Sequence, residues 1–301
     1  MPVKQEPTLA RCQVAPGTRF RLKDFDPADV LSPEFARIRG TTLKKRARQL
    51  LEDSRGRLGA AQELLWASDS YSVLVVFQGM DTAGKDGTVK HVMSGLNPAA
   101  SEVHAFKQPS AEELSHSFLW RYWQRIPARG HIGIFNRSYY EEVLIVRVHP
   151  ELIGRRRPLP RATGLRLWQE RFDDINRFER HLARNGTLIV KFFLNLSKSE
   201  QKRRLLARLG DRNKRWKFSA DDLKERQYWN AYMDAYQAMI RATSTEWAPW
   251  YVIPADHKYV ARAVVAAVLS ERIGALGLSY PPVSAAEARA QATARRRLLR
   301  D

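Results

Sequence analysis

The sequence predicts an α/β protein in which a parallel sheet of five strands lies between two layers of helices. Three observations support this prediction. Five short apolar runs follow one another within residues 73–253, stretches with helical spacing separate most of them, and a glycine-rich turn ending in lysine directly follows the first run. Short apolar runs that alternate with helices are typical of strands buried on both faces of a parallel sheet.

Residues 1–30 are predicted to form an irregular arm without a helix. Prolines at positions 2, 7, 16 and 27 interrupt any regular spacing of apolar residues, and proline is a strong local breaker of helices and strands. The chain's single cysteine, Cys12, lies in this polar arm and has no second cysteine with which to form an internal disulfide. We interpret it as an incidental thiol.

After the arm, apolar residues recur at helical spacing among many charges from Pro33 to Trp66. This pattern predicts a long amphipathic helix or a helical hairpin. The strands predicted next are Val73 to Phe77, Val103 to Phe106, Ile132 to Phe135, Leu188 to Leu194 and Trp250 to Ile253. The helices predicted between and after them span residues 111–125, 164–184, 198–209, 220–243 and 257–275.

Residues 31–275 are therefore predicted to form the main domain, followed by a basic tail over residues 276–301. The tail is rich in alanine and arginine from Ala285 onwards, which fits either a short helix or a frayed end. No run of about 18 apolar residues occurs, and the N-terminus lacks the apolar core of a signal peptide. We expect no membrane association and a cytoplasmic location.

The charge balance predicts a polyanionic partner. The 301 residues include 51 lysines and arginines against 32 aspartates and glutamates, for a net charge of +19. Such an excess suits nucleic acid, an anionic surface or a phosphate-rich substrate. Nucleic acid is disfavoured, because aromatic residues such as Trp120 and Trp123 follow helical spacing that fits burial and match no RNA-binding signature.

The turn after the first predicted strand has the pattern of a phosphate cradle, G-x-x-x-x-G-K from Gly79 to Lys85. The glycines let backbone N–H groups point inward, the following helix adds its partial positive charge, and the lysine places an ammonium beside phosphate oxygens. The alternative is a tight strand-to-helix turn with a solvated lysine. The predicted phosphate- or nucleotide-binding residues of this turn are Gly79, Met80, Asp81, Thr82, Ala83, Gly84, Lys85, Asp86 and Gly87.

The metal ligands predicted for this cradle depart from the usual P-loop pattern. Asp86 stands after Lys85, where the common P-loop has a hydroxyl for Mg²⁺. Asp81 is the predicted ligand of Mg²⁺, directly or through water, with Mn²⁺ as an alternative ion, because these ions take hard oxygen ligands. A turn-stabilising role is the alternative for Asp81. Asn136 stands where most P-loop enzymes carry an aspartate, and its amide would hold a metal-bound water.

Charged residues follow Asn136 at the carboxyl end of the third predicted strand, the edge where open parallel sheets bind ligands. Arg137 is suited to bidentate phosphate binding, and the alternative is that it pairs with a nearby carboxylate. Glu141 and Glu142 either approach the metal or nucleotide or serve as dipole partners at a helix start. Lys107, which follows the second predicted strand, is expected at the same edge.

Residues 202–220 are predicted to form a lid. Residues 202–217 contain eight basic residues and one acidic residue, a local excess of +7, and Gly210 with Asp211 breaks the helical pattern. Two helices flanking a loop is an arrangement of lids that close over phosphates and exclude water. Arg208, Lys214 and Arg215 are the predicted phosphate contacts, and a solvated basic face is the alternative.

Two further groups of arginines are candidates. Arg121 and Arg125 are four residues apart on one face of a predicted helix, and Arg125 is the one predicted to reach the phosphates or the nucleotide. A second basic run, Arg155 to Arg157 with Arg161, either extends a positive track or forms an exposed loop.

Together these segments resemble the polyphosphate kinase 2 family over residues of about 20–275. The resemblance rests on GMDTAGKDG, FKQP, FNRSYYEEVLIVRVHP, DRNKRWKFS and EWAPWYVIPAD. It implies a three-layer, thymidylate-kinase-like P-loop kinase fold with a helical lid. It also implies Mg²⁺-dependent transfer of the terminal phosphate of inorganic polyphosphate to a nucleotide, and homo-oligomers that are dimers or tetramers. The form FNRSYYE resembles the subgroup that accepts AMP as well as ADP; guanine nucleotides are alternative acceptors.

Position by position, the resemblance implies roles in phosphate, metal or nucleotide binding for Asp81, Lys85, Asn136, Arg137, Glu142 and Arg208. Arg203 and Arg204 are the alternatives to Arg208 as the lid arginine. No general base is required, because the phosphate oxygen of an acceptor nucleotide is already ionised near pH 7. Two other functions share the cradle. One is an ATP-dependent nucleoside monophosphate kinase, and the other is a polyanion- or RNA-binding protein with a vestigial P-loop.

Overall fold

The computed structural model describes residues 10–153 and 164–300. Within them a six-stranded sheet has the order β1-β6-β5-β2-β4-β3. The strands are β1 (Gln13–Val14), β2 (Ser72–Gln78), β3 (Ser101–Ala105), β4 (Ile132–Asn136), β5 (Thr187–Asn195) and β6 (Trp250–Pro254). The five strands from β2 to β6 are parallel, as the sequence predicts, and β1 pairs antiparallel with β6.

The helices are α1 (Pro33–Ala36), α2 (Gly40–Ser68), α3 (Lys85–Val92), α4 (Ala111–Ser115), α5 (Trp120–Trp123), α6 (Ile145–Val148), α7 (Gly164–Arg184), α8 (Lys198–Gly210), α9 (Ala220–Gln227), α10 (Trp229–Thr243), α11 (Lys258–Gly274) and α12 (Ala285–Leu298). Short 3₁₀ helices form at Leu22–Asp24, Pro98–Ala100, Tyr139–Val143, Pro150–Leu152 and Arg215–Lys217. No described helix is long and apolar enough to cross a membrane.

Helices cover both faces of the sheet and give the predicted three layers. On one face, α2 and α11 pack together over the strands, with Leu51 and Leu58 of α2 buried in that core. Each leucine removed from water there stabilises the fold by about 1.5–3 kcal/mol. On the other face, α7 and α10 contribute Phe172 and Tyr236 to the core that also contains Trp250 of β6. The buried strands are therefore apolar on both sides, which is why they lack alternation in the sequence.

The register of the central strands brings their carboxyl ends to one edge. Phe77 of β2 lies opposite Asn136 of β4, and Gln78 lies opposite Phe193 of β5. The segments that follow these three strands therefore begin side by side. This edge is where the candidate site lies.

The prediction of an irregular arm over residues 1–30 was wrong in part. Gln13 and Val14 form the edge strand β1, and the amide of Val252 donates to the carbonyl of Cys12 at 2.8 Å. A two-residue strand is too short to show periodicity, and its pairing partner lies more than 230 residues away in the sequence. Cys12 is fully buried, and burial raises the pKa of its thiol to about 12, so it is a core residue whose thiol stays protonated and does not act as a nucleophile.

Two predicted helices are broken in the structure. The helix predicted over 111–125 is α4 and α5 with an irregular link between them, and that over 220–243 is α9 and α10, separated at Tyr228. The predictions over 164–184, 198–209 and 257–275 are confirmed within one residue at each end, as α7, α8 and α11. The tail forms the exposed helix α12, whose start is fixed by a capping box between Ser284 and Glu287. The basic run from Arg155 lies outside the described residues.

Candidate active site

The glycine-rich turn between β2 and α3 has the backbone of a phosphate cradle. Gly79 and Gly84 have φ values of 153° and 104°, and Thr82 also has a positive φ of 65°. A side chain at Gly79 would place its Cβ 2.9 Å from the carbonyl oxygen of Leu194 on β5. Only glycine fits there, because this φ is rare for other residues and the neighbouring backbone leaves no space. The turn can therefore curl tightly above the sheet edge, with α3 starting at Lys85.

Lys85 lies inside this turn. Its Nζ donates to the carbonyl oxygens of Gly79 at 2.6 Å and Met80 at 3.3 Å, and its side chain is buried. Burial lowers the pKa of Lys85 to about 8; the nearby Arg137 adds to this effect, and Asp81 is the largest of the opposing influences. An ammonium that is buried beside another cation and held by carbonyl oxygens is a strong site for a phosphate anion.

Arg137 and Asp81 face each other across the cradle. Nη2 of Arg137 lies 2.7 Å from Oδ1 of Asp81, and its Nη1 lies 3.7 Å from Oε2 of Glu141. The carboxylate of Glu141 raises the pKa of Arg137, so the guanidinium is held as a cation. Arg137 itself has a positive φ of 65°, a conformation that is costly for a side chain of this size and that directs the residue off the end of β4. The structure thus brings Lys85, Asp81 and Arg137 together at the predicted edge. The contacts of Arg137 with Asp81 and Glu141 are the carboxylate pairing given above as the alternative, and its binding of phosphate stays a prediction.

Asn136 contacts a neighbouring carboxylate. Its Nδ2 donates to Oδ1 of Asp86 at 2.6 Å. Asp86, at the start of α3, therefore links the cradle to the end of β4. The amide of Asn136 still lies beside the cradle, where it was predicted.

Carboxylates at this edge fit Mg²⁺ that is shared with a substrate. No group of three or more acidic, histidine or cysteine side chains in the described residues forms a ready-made metal cage. Mg²⁺ in phosphate-binding sites often takes one or two carboxylates and completes its shell with phosphate oxygens and water. The carboxylates of Asp81 and Asp86, which come before and after Lys85 in the sequence, supply hard oxygen ligands. The residues present therefore suit that mode of binding.

The residues that brace the cradle come from α8. Nη1 of Arg204 donates to the carbonyl oxygens of Thr82 at 3.1 Å and Ala83 at 3.0 Å, and its Nε donates to Glu200 at 2.8 Å. Gln201, about one turn earlier on the same helix, donates to the carbonyl oxygen of Asp81 at 3.1 Å. Gln201 was not predicted, and Arg204 was predicted only as an alternative to Arg208 for the lid arginine, because it is one of eight cations in its run and nothing local distinguishes it.

The predicted lid lies close to the cradle. Nη1 of Arg208 donates to Oδ2 of Asp222 at 3.1 Å and to the carbonyl of Lys217 at 2.9 Å, which ties α8 to α9. Burial raises the pKa of Asp222, and Asp81 raises it further. Gln201 and Arg204 of the same helix α8 donate to carbonyl groups of the cradle, so this part of the lid lies beside the site.

Lys214 and Arg215 lie on the outer turn of the lid. Lys214 pairs with Asp211, and Arg215 donates to the carbonyl of Leu209 at 2.8 Å. Both residues are exposed, and these two contacts stabilise the turn itself. Of the three predicted lid contacts, Arg208 is the one on α8, one turn after Arg204, which contacts the cradle.

A cleft of about 890 Å³ opens beside Arg137. Phe106 and Tyr122 form part of its wall, with ring centroids 4.5 Å apart, and Lys107 and Arg121 supply positive charge. Its size and its mixture of aromatic and charged groups are typical of sites for small molecules. The cleft shares Arg137 with the cradle, so a molecule in the cleft and a phosphate in the cradle would meet at this guanidinium.

Glu142 lies in the wall of the cleft but is not an exposed ligand. It is buried, and its Oε2 lies 3.3 Å from Nη1 of Arg171 on α7. The same nitrogen atom of Arg171 also donates to the carbonyl of Glu142 at 2.5 Å. The carboxylate beside Arg137 is that of Glu141. The spacing in the sequence could not distinguish the two glutamates, because the segment is a 3₁₀ helix in which the direction of each side chain depends on tertiary contacts.

The structure does not bring Arg125 to the site. It lines a separate pocket with Glu102, His131 and Gly133, which lie toward the amino ends of β3 and β4. Arg121 reaches the cleft instead, and donates to the carbonyl of Lys107 at 3.1 Å. The prediction failed because the helix ends after Trp123, so the two arginines do not share a helical face.

Comparison with known proteins identifies the chain's relatives. The profile of a protein family described as polyphosphate kinase 2 (PPK2) matches residues 41–276. A protein of Rhodopseudomonas palustris named ADP-polyphosphate phosphotransferase is 50% identical over 258 residues, which cover 85% of this chain and 89% of that protein. A protein of Meiothermus ruber named AMP/ADP-polyphosphate phosphotransferase is 43% identical over 280 residues, or 93% of this chain and 98% of its own.

A solved structure gives the same result for the fold. The crystal structure of polyphosphate kinase 2 from Arthrobacter aurescens superimposes with a TM-score of 0.84 and 40% sequence identity, covering 96% of this chain and 97% of that one. The similarity thus extends over the cradle, the cleft and the lid.

Proposed function

The chain belongs to the polyphosphate kinase 2 family, and from that premise we propose that it transfers the terminal phosphate of inorganic polyphosphate to AMP and ADP, which yields ADP and ATP. The observation that carries this proposal is the position of Arg137. Its guanidinium contacts Asp81 of the cradle at 2.7 Å and also lines the cleft. A donor phosphate in the cradle and an acceptor phosphate in the cleft would therefore meet beside one fixed cation.

The chemistry requires charge neutralisation and alignment more than proton transfer. The acceptor oxygen of a nucleotide phosphate is ionised near pH 7, since the second pKa of a phosphate monoester is about 6. Repulsion between donor and acceptor is then the obstacle, and fixed cations in a water-poor site reduce it. Lys85 would hold the donor phosphate, Arg137 the phosphoryl group in transfer, and Arg208 would join them from the lid.

We assign the cleft to the acceptor nucleotide. Phe106, which is half-buried, offers aromatic surface to a base, and Lys107 and Arg121 offer charge to its phosphates. The names of the Rhodopseudomonas and Meiothermus relatives, one for ADP and one for AMP and ADP, support both acceptors. Mg²⁺, held by Asp81 and by substrate phosphates with Asn136 beside them, would supply further neutralisation; Mn²⁺ has the same ligand preferences.

Purified protein incubated with Mg²⁺, polyphosphate and AMP should form ADP and then ATP, as measured by chromatography of the nucleotides. Parallel reactions with ADP, GMP and GDP measure the acceptor range. A reaction with ATP and AMP but without polyphosphate tests the alternative of an ATP-dependent kinase. Absence of ADP and ATP in the presence of polyphosphate would overturn the proposal.

The lowered pKa of Lys85 predicts an alkaline limit on activity. The cationic form of Lys85 is the one that binds phosphate, and it is lost as the pH rises through a pKa of about 8. We therefore expect kcat/KM to be constant from about pH 7 to near 8 and then to fall about tenfold per pH unit. The limit on kcat should lie at higher pH, because bound phosphate stabilises the ammonium.

The substitution Lys85→Arg tests this assignment, since an arginine stays charged throughout the range. Its residual kcat/KM should show no fall near pH 8. Lys191, whose pKa burial also lowers to about 8, is present in both proteins, so a fall that persists in the variant would exclude Lys85 as its source.

A further inference from the structure

The outer side of β3 is an open edge of the sheet. β3 is the last strand in the sheet order, and among the described strands it pairs with β4 alone. Proteins keep such edges from pairing with other chains by making them very short, as in the two-residue β1, or by prolines, lysines and bulges. β3 reads Ser-Glu-Val-His-Ala, without proline or lysine, and its register with β4 is continuous. This edge can therefore accept another strand.

The backbone of β3 offers hydrogen-bonding groups to such a strand. The amide of Phe106 donates to the carbonyl of Asn136 on β4 at 3.2 Å. Successive residues of a strand direct their backbone groups to alternate sides, so the even-numbered residues of β3 bond with β4, and Val103 and Ala105 point outward. Within residues 10–153 and 164–300, the outward N–H and C=O groups of these two residues form no hydrogen bond. The side chain of Val103 is 52% exposed.

The side chains of β3 match a second copy of the same strand. Glu102 and His104 share one face, where Oε2 of Glu102 lies 3.2 Å from Nε2 of His104. In an antiparallel pair with a two-fold axis at Val103, the Glu102 of each copy lies opposite the His104 of the other. An axis at Glu102 or at His104 would instead set two carboxylates or two imidazoles face to face. Complementary cross-strand pairs stabilise a sheet and like charges destabilise it, so the axis at Val103 is favoured.

A recess beside this edge supplies a cation for the same pairing. It has a volume of about 270 Å³, and Glu102, His104 and Arg125 are among its lining residues. Arg125 is exposed, and in the described part of the chain it forms no ion pair. A carboxylate that lies opposite His104 on a second copy would enter this recess beside Arg125.

We propose that two copies of this chain associate by antiparallel pairing of β3 about a two-fold axis at Val103, which joins their sheets into one. Val103 exchanges both backbone hydrogen bonds with Val103 of the partner subunit, and the amide of Ala105 donates to the carbonyl of the partner's Ser101. Glu102 enters the recess of the partner subunit. Because the same surface is used by both copies, the contact closes at two. The interface contains no residue of the cradle or the cleft, so the inference does not depend on the proposed function.

Cross-linking tests the register. Val103→Cys places two thiols across the axis with Cα atoms about 5.5 Å apart, a separation that a disulfide spans. The control Ala105→Cys places its two thiols four residues out of register, about 14 Å apart, which a disulfide cannot span. Cys12 is the only other cysteine and is fully buried. After air oxidation, a non-reducing gel should show Val103→Cys mainly as a dimer and Ala105→Cys as a monomer. Equal cross-linking of the two variants would overturn the inference.

Sedimentation equilibrium tests the contribution of the backbone. Val103→Pro removes the outward N–H but no hydrogen bond to β4, and edge strands accept proline at such positions. The molar mass should therefore fall by half, whereas Val103→Ala keeps the N–H and should keep the mass of the unsubstituted protein. Melting temperatures verify that both variants fold. An unsubstituted protein that sediments as a monomer, or an unchanged mass in Val103→Pro, would overturn the inference.

Mixing of two charge variants tests the side-chain pairing. Glu102→Lys and Arg125→Glu each set like charges against each other in a homodimer, and each should weaken self-association about tenfold, since the axis repeats every pair. Mixed together, the two variants set opposite charges against each other. A tagged form of one should therefore capture the other as well as the unsubstituted protein captures itself. Contacts within one chain cannot produce this recovery, so its absence would overturn the proposed pairing.

Discussion

Replacing Lys85 with alanine is expected to lower kcat/KM for phosphoryl transfer from polyphosphate by about 10³-fold or more. The ammonium is buried at the centre of the cradle, 2.6 Å from the carbonyl of Gly79, and no other lysine of the described cradle can take its place. A fixed charge in such a site contributes about 10²–10³-fold or more to catalysis, because it needs no reorganisation as the transition state forms. The rate of ADP formation from AMP measures the effect.

Lys90→Ala is the matched control. Lys90 lies on the same helix α3 and is exposed, so its loss removes one charge without altering the cradle and should change kcat/KM less than twofold. Retention of more than a tenth of the activity in Lys85→Ala would show that the donor phosphate does not bind in this turn.

Affinity for polyphosphate should respond much less than the rate. Lys85 is one of 51 lysines and arginines, and the salt-sensitive binding of a long polyanion is shared among many of them. We expect equilibrium binding of polyphosphate by Lys85→Ala to weaken about tenfold or less. A large loss of rate with a small loss of binding distinguishes an enzyme from a protein that only binds polyanions.

The cradle was predictable because its signals are local. A buried strand, glycines at fixed spacing and a lysine at the start of a helix lie within 13 consecutive residues, from Val73 to Lys85. Asn136 and Arg137 could be placed beside it because the carboxyl ends of neighbouring parallel strands meet at one edge. The sequence therefore predicted which side chains gather at that edge, although not their hydrogen-bond partners.

Other parts of the site depend on contacts between distant residues. Arg204 donates to carbonyl groups more than 120 positions away, and nothing in its own helix marks it. Arg125 was misplaced because an irregular link interrupts the expected helix, and β1 was missed because two residues have no periodicity.

A buried polar network supports the segment that carries Arg137 and Glu141. Lys191 of β5 and Glu179 of α7 are both fully buried, with Nζ of Lys191 2.7 Å from Oε2 of Glu179. The hydroxyl groups of Tyr139 and Tyr140 donate to Oε1 of Glu179 at 2.8 and 2.7 Å. The two tyrosines lie between Arg137 and Glu141 in the sequence, so this network holds the segment that carries both site residues in place.

Replacing Lys191 with methionine is expected to lower the free energy of unfolding by about 3–5 kcal/mol, because it leaves the Glu179 carboxylate buried without its cation. The loss also removes the hydrogen bond from Nζ to the carbonyl of Thr243, at 2.7 Å. Methionine is close to lysine in length and apolar, so packing changes little and the measured difference reports the charge. Urea denaturation followed by tryptophan fluorescence measures this difference in unfolding free energy. For two-state unfolding, the dependence of that free energy on urea concentration should be the same in both proteins.

The double variant Lys191→Met with Glu179→Gln separates an unpaired charge from simple loss of packing. It removes both charges and keeps a side-chain oxygen that can accept from Tyr139 and Tyr140. We expect it to recover at least half of the stability lost in Lys191→Met, because replacing a whole buried pair costs far less than breaking it. A double variant as unstable as the sum of the two single variants would contradict this account, since the buried lysine and glutamate would then contribute independently and the anchoring of Tyr139 and Tyr140 would not depend on their pairing.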